Sequence, residues 1–171
     1  MPKVLIVYYS KTGNTKRMAG LIAEGARMVK GVEVEVKPVQ KTEVRELLGV
    51  EGVVIGSPTY YGSMAAEVKK FLDDSVKFHG KLEGKVGGAF SSSANVAGGN
   101  ETTIMNILQA LLIHGMVVQG TSKGDHYGPV AIGRPDGRSR KLCREYGRRV
   151  AKLVLRVQRL DTQAYACKVS V

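Results

Sequence analysis

Cysteine is scarce in this 171-residue chain: two residues, Cys143 and Cys167, stand far apart and belong to no CxxC or Cys/His cluster. That excludes an iron–sulfur or zinc centre of the usual spacing and leaves two free thiols. Histidine is equally sparse, with His79, His114 and His126 each alone in its stretch, so no metal site is expected. Long apolar runs are missing too. The first, Val4 to Tyr9, is too short for a signal peptide or a membrane span, and no later one is longer and uniformly apolar. A soluble cytoplasmic protein is the expectation. Also missing are GxxxxGK[ST] and GxGxxG, which disfavours a triphosphate loop and a dinucleotide fingerprint. Ser91 to Ser93 lack the GxSxG elbow, which argues against hydrolase chemistry. Acidic residues are few, 15 against 26 Lys+Arg, for a net charge of +11. Such a charge attracts anions of every kind without saying which.

What is present is a core and many tight turns. A hydrophobic content of 43% with 21 glycines fits one compact domain. Lys3 to Tyr9 is an apolar, β-branched run of the kind buried on both faces of a parallel sheet. Asn14 to Val29 has helical spacing, and Val32 to Val36 alternates like an edge strand. Val44 to Leu48 could form a short helix. Gly52 to Gly56 is another buried strand, Ala65 to Phe78 a helix, and Lys85 to Ser91 a strand. Glu101 to Ile113 is an apolar helix and Met116 to Gly120 the fifth strand. Residues 121 to 136 are irregular, and Ser139 to Leu160 closes the domain with Leu142, Tyr146, Val150, Leu153, Val154 and Val157 facing inward. The alternation predicts a doubly wound α/β fold over residues 1–160. Residues 161–171 follow as a C-terminal extension, either a small strand or a frayed tail.

Three loops leave strand carboxyl ends, where ligands of open parallel sheets bind: Ser10–Thr15, Pro58–Met64 and Ser92–Asn100. The first, "SKTGNT", combines hydroxyls, an amide and a glycine at a helix start, where unpaired N–H groups and the helix dipole favour an anion. The same residues also fit an ordinary N-cap at Ser10, Thr12 or Asn14.

Residues 6–22, "IVYYSKTGNTKRMAGLI", resemble the phosphate-binding signature of the flavodoxins. "SPTYYGSMAAEVKKFLD", "GKVGGAFSSSANVAGGNETTI" and "LLIHGMVV" further resemble the WrbA-type NAD(P)H:quinone oxidoreductases, from Lys3 to about Val157. The segments after the second and fifth strands are shorter than in that family, and its tryptophan after the third helix is missing, with Phe78 near that place. The resemblance implies a flavodoxin-like five-stranded parallel sheet, order 2-1-3-4-5, with helices on both faces, and FMN as cofactor. It implies that Ser10, Thr12, Gly13, Asn14 and Thr15 hold the FMN phosphate. Pro58, Thr59, Tyr60, Tyr61 and Gly62 would line the isoalloxazine edge. Ser92, Ser93, Ala94, Asn95, Gly98 and Gly99 would form the third wall. His114 would act at the substrate side, and Tyr127 belongs to a "YG" element after the fifth strand. It also implies a homodimer or homotetramer. Read without the family, Tyr60 and Tyr61 fit loop aromatics packed on a helix, and His114 beside Gly115 fits a helix C-terminal cap.

The leading expectation is an FMN enzyme passing hydride from NADH or NADPH through flavin to a quinone. Its basic charge would favour the anionic reduced flavin and hence two-electron chemistry. A flavodoxin-type one-electron carrier is the alternative, and an interaction protein with a vestigial flavin pocket the third. The cations of "RPDGRSRKLCREYGRR" read first as a solvated helix face. Nucleic acid is disfavoured for want of a groove-reading motif or base-stacking aromatics.

Overall fold

The computed structural model describes residues 1–168, with side chains described through Leu160. β1 (Lys3–Tyr8) leads through a short loop into α1 (Asn14–Arg27), then to β2 (Glu33–Pro38). A 3₁₀ turn at Val39–Lys41 and another at Val44–Gly49 precede β3 (Gly52–Tyr60). Next come β4 (Ser63–Met64), α2 (Ala66–Asp74) with a 3₁₀ turn at Ser75–Phe78, and β5 (Val86–Ser93). The chain ends with α3 (Asn100–Ile113), β6 (Val117–Val118), β7 (Val130–Ile132) and α4 (Gly137–Lys168).

The main sheet is parallel in the order β2-β1-β3-β5-β6, which is the expected doubly wound order. Successive side chains of β1 point to opposite faces. Val4, Ile6 and Tyr8 pack with Met18 and Ile22 of α1 and Tyr146 and Val150 of α4. Leu5 and Val7 pack with Phe71 of α2 and Ile104 and Ile107 of α3. The continuous apolar run in β1 is therefore explained by helices on both faces.

The fifth strand differs from the expectation. Only Val117–Val118 pairs with Val86 and Gly87, and the strand resumes at Val130–Ile132 against Ser91–Ser93. Between these two pieces the Ala89 N–H has no strand partner and instead donates to the Tyr146 hydroxyl at 2.8 Å. A side chain from α4 thus fills the break. β3 also continues past Gly56 and turns back as a two-residue hairpin, with Tyr60 opposite Ser63. Its corner residues Tyr61 and Gly62 have φ of 49° and 78°, the two positive values of a type I′ turn.

α4 starts under an Asp136 cap, whose carboxylate accepts from the Ser139 N–H at 2.8 Å. It does not stop at Leu160 but runs on through Lys168. That replaces the first part of the anticipated strand or tail with helix; residues 169–171 lie outside the described residues. Among the described residues no helix is long and apolar enough to cross a membrane, and no group of His, Cys, Asp or Glu is placed to hold a metal.

Candidate functional site

The three loops do converge. In the first, the residue preceding α1 is Gly13, with φ of 92°, and no side chain caps the helix. The structure thereby corrects the ordinary N-cap reading of Ser10, Thr12 or Asn14. The Arg17 N–H closes the first helical turn onto the Gly13 carbonyl at 3.0 Å. The N–H groups of Asn14, Thr15 and Lys16, ahead of it, have no acceptor within the helix. The Ser10 hydroxyl accepts from the Gly13 N–H at 3.1 Å, folding the loop over the helix start while its own O–H stays available. Thr12 is exposed and Asn14 half-buried.

Thr15 is buried, and its hydroxyl meets that of Ser92 at 2.9 Å. Loops one and three are therefore joined directly beneath the rim. Loops two and three are tied by a hydroxyl cluster. The Thr59 hydroxyl lies 3.0 Å from that of Ser91. Thr103 Oγ1 donates to the Gly99 carbonyl at 2.8 Å and lies 3.0 Å from Thr59 Oγ1, whose hydrogen it can accept. Thr102 donates to the Gly62 carbonyl at 2.6 Å. A Cβ on Gly99 would stand 2.7 Å from the Gly62 Cα, so the two backbones touch where the loops meet.

Ser93 is also buried; its hydroxyl donates to the Asn95 carbonyl at 2.9 Å and accepts from Asn100 Nδ2 at 3.2 Å. It shapes the third loop, whose tip exposes Ala94, Asn95 and Gly98. Pro58 and Thr59 are half-buried at the end of β3. Tyr60 stands edge-on to Tyr9, ring centroids 6.3 Å apart, and Tyr61 is wholly exposed at the hairpin corner. The Tyr9 phenol is held above its usual pKa, chiefly by its hydrogen bond to Glu67. Tyr127 is exposed in the loop before β7. No hydrogen bond among the described residues ties it to the three loops.

His114 is not at this site. It ends α3, which starts beside the third loop and runs away from it for 14 residues, about 20 Å of helix. The Ser75 hydroxyl donates to the Leu72 carbonyl at 2.6 Å and so has only its lone pairs to offer the His114 ring, 2.7 Å from Nε2. Nε2 therefore carries the proton. Burial, then the nearby His79, lower the His114 pKa and keep the ring neutral. It is a packing residue at the far edge of the sheet, away from the three loops and so not a catalytic group there. The basic charge is unevenly spread: at the first loop stand exposed Lys11, Lys16 and Arg17, the Arg17 guanidinium 3.5 Å from Asn14 Oδ1, the second and third loops carry no cation, and α4 is densely cationic. Most of the net charge on which the two-electron expectation rested thus lies along α4 and not in the loops themselves.

Thr102 and Thr103 of α3 and Ser57 of β3, whose hydroxyl accepts from the Ala65 N–H at 2.8 Å, were not anticipated. Their signal was a hydroxyl at a strand end or in the first turn of a helix whose neighbours are apolar.

An uncapped helix start and hydroxyl-lined loops meet at the carboxyl edge of a 2-1-3-4-5 sheet, the edge at which doubly wound α/β proteins bind their ligands. A flavodoxin-domain family model matches residues 5–114. A flavodoxin of Aquifex aeolicus (strain VF5) is 42% identical over 162 residues, covering 90% of this chain and 88% of that one. A flavodoxin of Clostridium saccharobutylicum is 36% identical over 160 residues, 91% of this chain and 99% of that one. Among solved structures, a flavodoxin described as WrbA-like from Agrobacterium tumefaciens superposes with a TM-score of 0.79 at 29% identity, covering 91% and 99% of the two chains. The chain belongs to the flavodoxin family. That family binds FMN, and its members transfer electrons to redox partners.

These findings overturn the quinone-oxidoreductase reading. The relatives are named flavodoxins, which are electron carriers rather than enzymes, and nothing among them supports NAD(P)H as reductant or a quinone as acceptor. The WrbA-type family is not specifically supported: the relatives are plain flavodoxins, and a structural neighbour described as WrbA-like is itself a flavodoxin.

Proposed function

We propose that this protein is an FMN-dependent electron carrier of the flavodoxin type, the cofactor held by the three loops. The observation that carries the reading is the start of α1. Three backbone N–H groups and the Ser10 hydroxyl meet there without a capping side chain, with exposed Thr12 in the same loop. That donor set, with the Arg17 guanidinium against Gly13 and 3.5 Å from Asn14 Oδ1, suits a phosphate dianion. The exposed rings of Tyr60 and Tyr61 offer flat area for the isoalloxazine. Gly99 and Gly62 let the second and third loops close on its polar edge.

Bound FMN supplies electron uptake and release, which no side chain of this chain can. The protein's part is to bind, orient and shield. Ser10 and the helix N-terminus anchor the phosphate. Thr15 and Ser92 lock the phosphate loop to the third loop, and the Thr59–Ser91–Thr103 cluster fixes the rim.

Titration of the flavin-free protein with FMN, followed by quenching of flavin fluorescence, tests the assignment. Ser10→Ala and Thr15→Val each remove or misplace a charge-assisted hydrogen bond worth about 1.5–3 kcal/mol. Kd should rise roughly 10- to 100-fold for each. Unchanged affinity in both variants would refute the phosphate-loop assignment.

A further inference from the structure

α1 and α4 run side by side in the same direction, Arg144 Nε donating to Glu24 at 2.9 Å and Arg148 Nη2 contacting Met28 Sδ at 3.1 Å. Both helices therefore begin at the loop edge. The Gly133 N–H donates to the Ser93 carbonyl at 2.8 Å, placing the entry to α4 against the third loop. From there to Arg159, every exposed side chain of α4 except Glu145 is Lys or Arg. Arg140, Arg148, Lys152, Arg156 and Arg159 have no carboxylate partner among the described residues.

A merely solvated helix face would mix Glu and Lys at i,i+4, because such pairs support the helix and like pairs weaken it. Here Arg148, Lys152 and Arg156 follow one another at that spacing. Two hollows of about 470 and 280 Å³ lie along the row, the first bordered by Arg140, Lys141 and Arg144 and the second by Arg148, Lys152 and Arg156, with Glu145 the one carboxylate lining each. From Arg140 to Arg156 the row spans about 24 Å.

We propose that this face of α4 is the docking surface for an acidic redox protein, the partner class of the carrier proposed above, on which this inference rests. Charge complementarity without an apolar anchor suits a brief encounter, in which steering sets the association rate. The row begins beside the cofactor loops, so a partner drawn to it arrives where electrons must cross. No aromatic side chain lies along it to stack a base, which favours a protein over a nucleic-acid strand.

The test uses cytochrome b5 as an acidic probe and cytochrome c as a basic one. Stopped-flow measures ferric haem reduction by the reduced FMN-loaded protein, comparing wild type with Arg148→Glu/Lys152→Glu/Arg156→Glu. In about 10 mM salt, where charges act over about 30 Å, the variant should reduce cytochrome b5 at least tenfold more slowly. At about 1 M salt, where the range falls to about 3 Å, the two should coincide. An unchanged low-salt rate overturns the proposal. So does tighter binding of wild type to a 20-nucleotide single strand or to phosphatidylserine vesicles than to cytochrome b5. Binding of cytochrome b5 to the flavin-free protein reads the face by itself, and FMN titration reads the carrier assignment by itself, so the two failures stay distinguishable.

Discussion

Replacing Gly99 by alanine separates a backbone constraint from a mere preference for glycine. Gly99 has φ of 91°, a conformation that costs an alanine about 1–2 kcal/mol. Its added Cβ would also stand 2.7 Å from the Gly62 Cα, 3.2 Å from Thr59 Cγ2 and 3.3 Å from Thr102 Oγ1. Backbone cannot swing aside as a flexible side chain can, so about 1–3 kcal/mol of overpacking is added. The Gly99 carbonyl already accepts from the Thr103 N–H at 3.0 Å and from the Thr103 hydroxyl at 2.8 Å, so a displaced backbone disturbs the whole cluster. Gly99→Ala should therefore cost about 2–5 kcal/mol and open the gap between the second and third loops, weakening FMN binding. Gly62→Ala is the control: φ is 78° but nothing lies within 4 Å of its Cβ, so only the conformational cost remains. Urea unfolding of the flavin-free variants gives the two stabilities, and FMN titration gives the two affinities. Equal losses for Gly62→Ala and Gly99→Ala would refute the close approach of the loops.

Tyr146→Phe should lower the urea midpoint by about 1–3 kcal/mol of stability with an unchanged slope, because it strands the buried Ala89 N–H at the break in the fifth strand. An unshifted midpoint would mean that this N–H finds another acceptor. His114→Ala should destabilise the protein by about 1–3 kcal/mol through loss of the Ser75 bond, yet leave the FMN Kd where it was; a weakened Kd would return His114 to the cofactor site. Burial pushes the Cys143 thiol from 9.0 up to about 12 and the Tyr146 phenol from 10.0 up to about 12. Both groups ionise first in the unfolded chain, which then holds fewer protons than the folded one. Stability is full below pH 9 and falls as pH rises towards about 12, with Cys143 contributing roughly 4 kcal/mol of the loss. Melting temperatures from pH 8 to 11 should decline in wild type and decline less in Cys143→Ala; a level wild-type profile would contradict the burial of these groups.

The strand–helix alternation was legible because β1, β3 and β5 are apolar on both faces and the helices carry apolar stripes, patterns that arise from local periodicity. The loops were legible for a related reason: a hydroxyl- and glycine-rich break after a buried strand has few other uses. The hairpin at Tyr61–Gly62 was missed because its strand β4 is two residues long, too short for any period. The second half of the fifth strand was missed because Val130–Ile132 lies behind a loop that hides its continuity with Val117–Val118. His114 was misplaced because a motif match gives sequence distance, while helix length decides at which edge of the sheet a residue emerges.

By itself, then, the sequence determined the layered α/β architecture, the parallel order through its family signature, and the hydroxyl- and glycine-rich loops at the strand ends. Each depends on residues near one another in the chain. Only the tertiary structure decided that Thr15 meets Ser92 across 77 positions, that Gly99 touches Gly62, and that the Tyr146 hydroxyl completes the sheet. It alone decided, too, that most of the net charge lies along α4 beside the site. Those are contacts between segments remote in sequence, set by the packing of helices onto the sheet, and no local pattern encodes them.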